Sequence, residues 1–395
     1  MKRVAIVGGG AAGFFTAVCL KERLPQAQVT IFEQKQHVLA KVKVSGGGRC
    51  NCTNTFAGVS PDLKGVYPRG FRLMKRLLKG FSQHDTFQWF QLHDVPLTVQ
   101  DDQCVFPASQ SSLSVVNCLL GEARRLGVEI RTGCRMDIPD EFLHHYDDVV
   151  LTTGGAISGA SSLLSWLADR GHTVVTPLPS LFTLRIADEQ LQQLMGTVVE
   201  SATVYIPSTN FRSDGPLLIT HWGISGPAVL KLSSYAARHL ADCNYMSPIA
   251  VNWLGLHEDE VHRLLSVSSQ QHPHRQLTTI NPFALPARLW EYLVTKTLPG
   301  RADAPWGSLN KKEANRLVNT LCGGDHYLVS GRAPFRDEFV TCGGVGLDSV
   351  DPATLQSRVV PHLYFAGELL DIDGITGGFN LQAAWTTAYT VAQSL

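Results

Sequence analysis

The start of the chain combines short apolar runs with one segment of helical periodicity. Val4–Val7 is a continuous apolar run typical of a buried parallel strand, and Val29–Phe32 is a second run of the same kind. Ala11–Leu24 lies between them and is compatible with a helix. The pattern therefore predicts a βαβ unit whose second strand ends at Glu33.

Helical and strand patterns continue beyond this unit. Apolar residues from Phe71 to Phe81 fall on one helical face, Phe87 and Phe90 continue the pattern, and Gly70–Val95 is predicted to form helices. The next predicted elements are a helix, a strand and a buried strand, at Ser111–Leu126, Val128–Arg131 and Asp148–Thr153.

The middle of the chain, from about Pro179 to Asp337, has a different pattern. It begins with short β-like runs at Leu181–Ile186, Thr197–Ile206, Pro216–Thr220 and Met246–Leu254. Helical sequence interrupted by prolines follows from His257 to Leu321. The final segment returns to an α/β pattern, with an apolar strand, a glycine-rich turn and a helix that starts near Asn380.

Length, composition and charge narrow the class of protein. A chain of 395 residues with 44% hydrophobic residues predicts two or three globular domains. Basic and acidic residues are equal at 34 each, so no global field recruits nucleic acid or an anionic membrane. The nine irregularly spaced cysteines indicate reduced thiols, no metal-ligand spacing occurs, and no apolar run is long enough to span a membrane. We expect a soluble cytoplasmic protein without a metal.

The first strand-to-helix turn carries the spacing G-x-G-x-x-G at Gly8, Gly10 and Gly13. The first glycine permits a tight turn, the second lets the backbone approach a pyrophosphate, and the third lets the helix pack on the strand. The helix N-terminus then presents partial positive charge to the phosphates, and Glu33 can accept hydrogen bonds from ribose hydroxyls. The segment therefore predicts a dinucleotide site.

Further glycine turns favour FAD over NAD, because FAD is long and gathers contacts from distant segments. Gly154 and Gly155 follow the strand at Asp148–Thr153, and Phe365–Glu368 ends another strand with an acidic residue. The last turn contains Gly374, Gly377 and Gly378 and precedes a helix, whose N-terminal N–H groups would stabilise the anionic reduced flavin.

The segment VSGGGRCNCTN, residues 44–54, brings backbone without side chains close to this unit. We expect Gly46–Gly48 to lie against the isoalloxazine ring. Arg49 adds positive charge near the reduced ring or an anionic substrate, or else is a structural arginine that bridges carboxylates or carbonyls. Cys50 is a redox thiol or proton donor, or else a small buried residue that fills space.

Several motifs together resemble the BaiN-like family of FAD-dependent oxidoreductases, also called aminoacetone oxidase-like. These are VSGGGRCNCTN, THWGISGPAVL at 220–230, VTCGGVGLDSVD at 340–351 and YFAGELLDIDGITGGFNLQAAW at 364–385. The resemblance covers essentially the whole chain. It implies a glutathione-reductase-type, Rossmann-like FAD domain interrupted by an inserted β-barrel domain with a small helical subdomain.

The resemblance also implies reduction of activated C=C bonds, of conjugated ketosteroids in some members and of ribosomal RNA uridine to dihydrouridine in others. Both reactions transfer a hydride from flavin N5 to one carbon and a proton to its neighbour. This chain departs from the family at His221-Trp222, where relatives tend to carry His-Arg, so its substrate specificity can differ.

The predicted division is 1–180 with 338–395 as the FAD domain, 181–256 with 322–337 as the barrel, and 257–321 as the helical subdomain. The predicted catalytic residues are Cys50, Arg49 and His221. The predicted FAD contacts are Gly8, Gly10, Ala12, Gly13, Glu33, Lys41, Ser45, Gly46, Gly47, Gly48, Arg49, Cys50, Thr153, Gly154, Gly155, Gly367, Glu368, Asp371, Gly377, Gly378, Phe379 and Asn380.

Substrate and electron donor are less well defined. A basic segment contains Arg69, Arg72, Lys75, Arg76 and Lys79. On a helix the last four share one face, which would suit an RNA backbone or is an ordinary solvated face. His221 is a proton donor, orients the substrate or packs in a core. No second G-x-G-x-x-G opens a helix after a strand, so NAD(P)H is expected to bind transiently. An oxidase of a small amine or alcohol and a non-catalytic flavoprotein remain alternatives.

Overall fold

The computed structural model describes residues 1–135, 140–156, 162–333 and 340–395. The chain divides into two compact units, Met1–Pro179 with Phe335–Leu395 and Ser180–Pro334. We refer to them as the first and second units and number their helices and strands in chain order through both. The three-part boundaries given above remain a prediction.

The strands are β1 (Arg3–Val7), β2 (Gln28–Phe32), β3 (Thr53–Asn54), β4 (Leu97–Val99), β5 (Cys104–Pro107), β6 (Glu129–Arg131), β7 (Asp148–Leu151), β8 (Val174–Ser180), β9 (Leu184–Ile186), β10 (Val198–Tyr205), β11 (Arg212–Thr220), β12 (Gly223–Ser225), β13 (Met246–Asn252), β14 (Cys322–Arg332), β15 (Val340–Val345) and β16 (Leu363–Phe365).

The α-helices are α1 (Ala11–Arg23), α2 (Ala40–Gly48), α3 (Phe71–Leu77), α4 (Gln83–Leu92), α5 (Ser112–Arg125), α6 (Asp140–His145), α7 (Ser162–Asp169), α8 (Glu189–Gln192), α9 (Pro227–Tyr235), α10 (Ala237–Asp242), α11 (Glu258–Gln271), α12 (Ala287–Thr297), α13 (Lys311–Leu321) and α14 (Phe379–Ser394). No helix among these described segments is long and apolar enough to cross a membrane.

A parallel sheet forms the centre of the first unit. Its strand order is β16-β7-β1-β2-β6, and every neighbouring pair runs in the same direction. Val4, Ala5 and Ile6 of the central strand are fully buried. Continuous apolar strands of this kind are buried on both faces in parallel sheets. All five strands therefore end at the same edge of the sheet.

Helices α1 and α14 pack together in the core of this unit. Both helices are buried over most of their length. The Phe15 ring lies 5.2 Å from the Trp385 ring and 4.7 Å from the Trp89 ring, in tilted geometries that favour aromatic pairs. The N-terminal and C-terminal segments of the chain are thus parts of one core.

The second unit contains a closed barrel with the strand order β10-β11-β12-β9-β14-β13. Buried and exposed residues alternate along β14, as expected when one face of each strand points into the barrel. On β14, the carboxylate of Asp325 accepts hydrogen bonds from Trp253 Nε1 at 2.8 Å, Tyr327 Oη at 2.6 Å and Lys296 Nζ of α12 at 2.6 Å. Three donors satisfy a carboxylate that is only 3% exposed.

The fold class predicted from the sequence is confirmed: a Rossmann-type α/β unit is interrupted by a segment that contains a closed barrel. The helices predicted over Gly70–Val95 are α3 and α4, and Ser82 starts the second of them by forming a capping box with Asp85. One local prediction is wrong in detail: helix α3 ends at Leu77, so Lys79 lies beyond the helix that carries the other basic residues.

Candidate functional site

The glycine turns of the first unit collect at the carboxyl edge of its parallel sheet. Gly8 follows β1, Glu33 follows β2, Gly154 follows β7 and Gly367 follows β16. In open parallel sheets, ligands bind outside this edge. The chain topology therefore brings segments that are far apart in sequence to one place.

Each glycine of the fingerprint meets a different steric demand. A Cβ on Gly13 would lie 2.0 Å from the carbonyl oxygen of Gly8, and a Cβ on Gly8 would lie 2.4 Å from the carbonyl oxygen of Thr152. Nothing lies within 4 Å of a Cβ built on Gly10, whose φ is −93°. Gly8 and Gly13 are thus required by packing, whereas Gly10 faces open space.

The N-terminus of α1 is available for an anion. Gly10 is its N-cap and supplies no side-chain hydrogen bond, and the first turn contains no acidic residue. The first N–H groups of a helix have no partner within the helix and carry partial positive charge. A pyrophosphate at Gly10 would accept hydrogen bonds from these N–H groups and would place negative charge beside the partial positive charge, without steric conflict.

Glu33 holds the fingerprint turn in place. Its Oε2 accepts a hydrogen bond from Gly9 N and its Oε1 accepts one from Lys35 N, each at 2.8 Å. A carboxylate has about four lone-pair positions, so both oxygens retain acceptor capacity. The predicted contact with ribose hydroxyls is compatible with this arrangement and remains a prediction.

Lys41, Gly155, Thr341 and Glu368 form a second cluster at the same sheet edge. Glu368 Oε1 accepts a hydrogen bond from Thr341 N and Oε2 pairs with Lys41 Nζ, each at 2.8 Å. A Cβ on Gly155 would lie 2.3 Å from the Thr341 side chain. Thr341 Oγ1 is buried and has no hydrogen-bond partner among the described residues. A buried hydroxyl without a partner marks a position where a bound polar group would be stabilised.

Thr341 was not predicted from the sequence. It lies in β15, which ends at Val345 and contains the glycine pair Gly343 and Gly344. Gly343 has a φ of +88° and its N–H donates to Asp371 Oδ1 at 3.0 Å. The glycine pair after Thr341 was the available signal, since it marks a close approach of backbone to a neighbouring segment.

Gly367 packs directly against the start of α1. A Cβ on Gly367 would lie 2.8 Å from the Cβ of Ala12, and its φ is +74°. Its N–H donates to Thr387 Oγ1 at 2.9 Å. Ala12 and Gly367 are thus in close contact. Thr387 of α14 holds the Gly367 turn through this hydrogen bond and was not predicted from the sequence.

The triple glycine lies at a kink in α2. Ser45, Gly46 and Gly47 have non-helical dihedral angles, and the Ser45 hydroxyl donates to the carbonyl of Val42 at 2.8 Å. A Cβ on Gly46 would lie 2.8 Å from Asn51 N, whereas nothing lies within 4 Å at Gly47 or Gly48. Gly47 and Gly48 therefore present open backbone, as a flat ligand requires.

Arg49 and Cys50 have different surroundings. The Arg49 guanidinium lies 4.2 Å from the centre of the Phe106 ring and donates to Gln110 Oε1 at 3.3 Å. Cys50 is fully buried with a φ of +63°, and its Sγ lies 3.7 Å from Cys52 Sγ. Burial raises the pKa of the Cys52 thiol well above its ordinary value. A non-glycine residue at positive φ stores backbone strain, which is common at functional sites.

The N-terminus of α14 contacts the segment that follows the triple glycine. Gly378, its N-cap, has a φ of +91°, and a Cβ there would lie 2.2 Å from the carbonyl oxygen of Thr53. Asn54 Nδ2 donates to the carbonyl of Gly377 at 3.1 Å. The two glycine segments predicted to contact the flavin ring are therefore adjacent.

The neighbouring predicted contacts have structural partners. The Asn380 side chain accepts from Gly374 N and donates to Gly374 O, each at 2.8 Å, so its amide holds the turn. Phe379 is 4% exposed and packs edge-on against Tyr67, whose hydroxyl donates to the Phe379 carbonyl. Thr153 is exposed.

A buried ion pair supports the last glycine turn. Arg69 donates to both carboxylate oxygens of Asp373, which is fully buried. The pKa of Arg69 is raised: burial alone would lower it, and the contacts with Asp373 outweigh that effect. The sequence analysis treated Arg69 as part of a basic segment and missed this partner, which lies 304 positions along the chain.

The first unit also contains a polar cluster away from the glycine turns. Ligand-type atoms of Glu22, His93 and Glu122 lie within 4.8 Å of one another, and no metal was expected from the sequence. His93 Nε2 lies 2.9 Å from Glu22 Oε1 and Nδ1 lies 2.6 Å from the Trp89 carbonyl oxygen. Burial would lower the pKa of His93, but these hydrogen bonds raise it above its ordinary value.

His221 and Trp222 lie in the second unit, in the turn between β11 and β12. His221 is exposed, and its ring centre lies 4.8 Å from the Trp222 ring. Trp222 Nε1 is buried without a hydrogen-bond partner among the residues of known placement. The role of His221 as a proton donor remains a prediction.

The site of the first unit fits an extended dinucleotide. It combines an uncapped helix N-terminus at Gly10, the partnerless hydroxyl of Thr341, open backbone at Gly47 and Gly48, and a second glycine-capped helix at Gly378. The first three features accept phosphate, polar and planar groups respectively. The second helix N-terminus adds partial positive charge.

Residues 2–394 match the model of the family described as HI0933-like protein Rossmann domain. The chain is 30% identical to a ribosomal RNA dihydrouridine synthase of Escherichia coli, over 99% of this chain and 97% of the relative. It is 28% identical to a 3-dehydro-bile acid delta(4,6)-reductase of Clostridium scindens, over 100% of this chain and 99% of the relative.

Among solved structures, the chain is similar to the 3-ketosteroid delta1-dehydrogenase of Sterolibacterium denitrificans. The TM-score is 0.49 and the sequence identity is 10%, over 100% of this chain and 99% of the other. A similarity at this level is not evidence for a shared reaction.

Proposed function

The chain belongs to the HI0933-like family of flavoproteins, and we propose that it is an FAD-dependent reductase of an activated C=C bond. Membership of this family makes the chain an oxidoreductase and confirms the resemblance to the BaiN-like proteins. We propose ribosomal RNA uridine as its substrate class and NAD(P)H as its transient electron donor. Both relatives have names that describe products or substrates of double-bond reduction.

The observation that carries the proposal is the side-chain-free cradle of the first unit. Gly10 and the α1 N-terminus would hold the pyrophosphate, Glu33 the ribose, and Lys41, Thr341 and Glu368 the middle of the cofactor. Gly46–Gly48 and Gly377–Gly378 would lie along the isoalloxazine ring. When bound, FAD supplies a hydride to the substrate double bond.

The protein would control charge and protons around that ring. The uncapped N-terminus of α14 carries partial positive charge, which stabilises negative charge on a bound group. The raised pKa of Cys52 keeps its buried thiol protonated at neutral pH, and its Sγ contacts Cys50 Sγ. We propose Cys50 Sγ as the group that holds the proton for the substrate carbon, and Arg49 as a cation that orients an anionic substrate.

A basic surface on α3 supports RNA as the substrate. Arg72, Lys75 and Arg76 are exposed on one face of this helix, opposite the buried Leu73, Met74 and Leu77. Cations in this arrangement bind phosphate backbones. This surface favours RNA over a small amine or alcohol, which needs no such contact.

Three measurements test the proposal in order. The purified protein should be yellow and should release FAD on denaturation, identified by mass spectrometry. Anaerobic NADPH or NADH should bleach the flavin quickly, and air should reoxidise it slowly, whereas fast reoxidation would indicate an oxidase. Protein-free ribosomal RNA from a strain without this protein should then gain two hydrogens at a uridine when the enzyme and donor are added. Absence of any such gain, with a flavin that is reduced normally, would remove RNA as the substrate.

Variants separate the proposed proton donor from packing residues. Cys50→Ala should keep flavin binding and flavin reduction but slow product formation, and Cys52→Ala should serve as the matched control because it removes the adjacent buried thiol. His221→Gln tests the second predicted donor independently. Normal turnover in both Cys50→Ala and His221→Gln would show that neither residue supplies the proton.

A further inference from the structure

Helix α13 in the second unit presents a basic and amide-rich face. Its exposed residues are Lys311, Lys312, Asn315, Arg316 and Asn319, and they line a shallow groove with a volume of about 540 Å³. At 100° per residue these positions occupy an arc of about 140° on the helix. The buried residues Leu317, Val318 and Leu321 lie on the opposite side.

The charge of this face is not neutralised by the helix itself. The acidic residue of α13, Glu313, is half-buried and already engaged: it closes a capping box with Asn310 and pairs with Arg301 at 3.0 Å. Lys311, Lys312 and Arg316 form no ion pair within the described ranges. The groove therefore presents three cations that have no carboxylate partner among the described residues.

The position of the lysines argues against a role in helix stability. Lys311 and Lys312 lie in the first turn of α13, where the helix dipole disfavours positive charge. Glu313 in the same turn matches the preference of the dipole for negative charge, whereas the two lysines oppose it. The cations therefore point to an external anion.

We propose that the α13 face binds the phosphate backbone of RNA, an inference that rests on the proposed reduction of ribosomal RNA uridine. Lys311, Lys312 and Arg316 would contact phosphates, and Asn315 and Asn319 would donate to phosphate or 2′-hydroxyl oxygens. The groove contains no aromatic side chain, so it positions RNA without stacking on bases.

The test compares two triple variants of the full-length flavin-bound protein. The first is Lys311→Gln, Lys312→Gln and Arg316→Gln. The control is Arg238→Gln, Arg263→Gln and Arg275→Gln, which removes the same charge from exposed positions scattered over the second unit. Flavin absorbance and thermal unfolding should match the unmodified protein in both.

Binding to protein-free bacterial ribosomal RNA is measured from 50 to 200 mM salt. Each phosphate contact contributes about 0.7 to 0.9 to the slope of log affinity against log salt, so the α13 variant should lose about 2 to 3 from that slope. The salt-dependent loss of affinity over this range should accordingly become roughly 20- to 40-fold smaller. The control variant should keep the original slope.

The outcomes distinguish this inference from the proposed function. Dihydrouridine formation by the unmodified protein, together with an unchanged salt slope in the α13 variant, would refute the inference and leave the reaction intact. Competition by poly-L-glutamate as effective as that by RNA would identify an acidic polypeptide surface and overturn it too. An unmodified protein that neither binds nor modifies ribosomal RNA would contradict both proposals.

Discussion

Gly10 and Gly13 belong to one motif, yet the structure assigns them different physical tasks that alanine substitution can separate. At Gly13 an added methyl group would lie 2.0 Å from the Gly8 carbonyl oxygen and 2.8 Å from Thr152 Oγ1. At Gly10 nothing lies within 4 Å, and the backbone is in a region open to alanine. We therefore expect Gly13→Ala to damage the fold and Gly10→Ala to damage only cofactor binding.

The magnitudes follow from the contacts. The methyl group at Gly13 must move by about 1 Å into a packed strand, and overpacking of this kind costs about 3 kcal/mol at the upper end of its usual range. At Gly10, alanine is a poorer N-cap than glycine but lowers the entropy of the unfolded chain, and these effects offset to within about 0.5 kcal/mol. Loss of close approach to a charged phosphate weakens FAD binding by about 10- to 100-fold.

The assay measures urea unfolding of flavin-stripped protein and then FAD affinity by fluorescence titration. For a slope near 3 kcal/mol per molar urea, Gly13→Ala should lower the unfolding midpoint of the first unit by about 1 M. Gly10→Ala should leave the midpoint unchanged and raise the Kd for FAD. Equal destabilisation by both substitutions, or wild-type FAD affinity in Gly10→Ala, would refute the assignment of Gly10 to the pyrophosphate.

Three further predictions concern charged and titratable side chains. Asp373→Asn should destabilise the first unit by about 3 kcal/mol because Arg69, whose side chain is only 14% exposed, loses the carboxylate to which it donates, and the double variant with Arg69→Met should recover part of that loss in urea unfolding. The raised pKa of His93 adds stability below the unfolded pKa of about 6.5, and this contribution is lost as pH rises through the folded pKa. His93→Gln should therefore flatten the fall in unfolding free energy across this pH range. An unchanged pH profile would contradict the pairing with Glu22. Asp325→Leu should lower the unfolding temperature of the second unit, since Lys296 and two other donors lose their acceptor; an unaltered transition would show that this carboxylate is dispensable.

The sequence predicted those parts of the site that depend on local spacing. The interval from Gly8 to Gly13 specifies a strand-to-helix turn, and the apolar run at Val4–Val7 specifies the buried strand before it. The positions of Gly154 and Gly367 were also predictable, because parallel strands end at one edge. Local pattern was therefore sufficient for the α/β class and for most glycine turns.

The parts that escaped prediction depend on contacts between distant segments. Thr341 reaches the site through its N–H bond to Glu368, 27 positions later, and no local pattern marks it. The sequence shows Arg69 only as part of a basic segment, and its pairing with Asp373 is visible only in the fold. Lys79 was predicted to continue the basic face of the helix, but α3 ends at Leu77.

The pairing of β16 with β7 sets the order in which the first unit can be completed during synthesis. Leu363 pairs with Val149, so the β16 side of β7 has no strand partner until about 210 further residues have been synthesised. This takes roughly 10 to 40 s at ordinary elongation rates. The barrel strands, by contrast, all emerge between Leu184 and Arg332. Nascent chains that stall between these points would present the apolar edge Val149–Leu151 to chaperones or to one another, which makes elongation speed a determinant of yield.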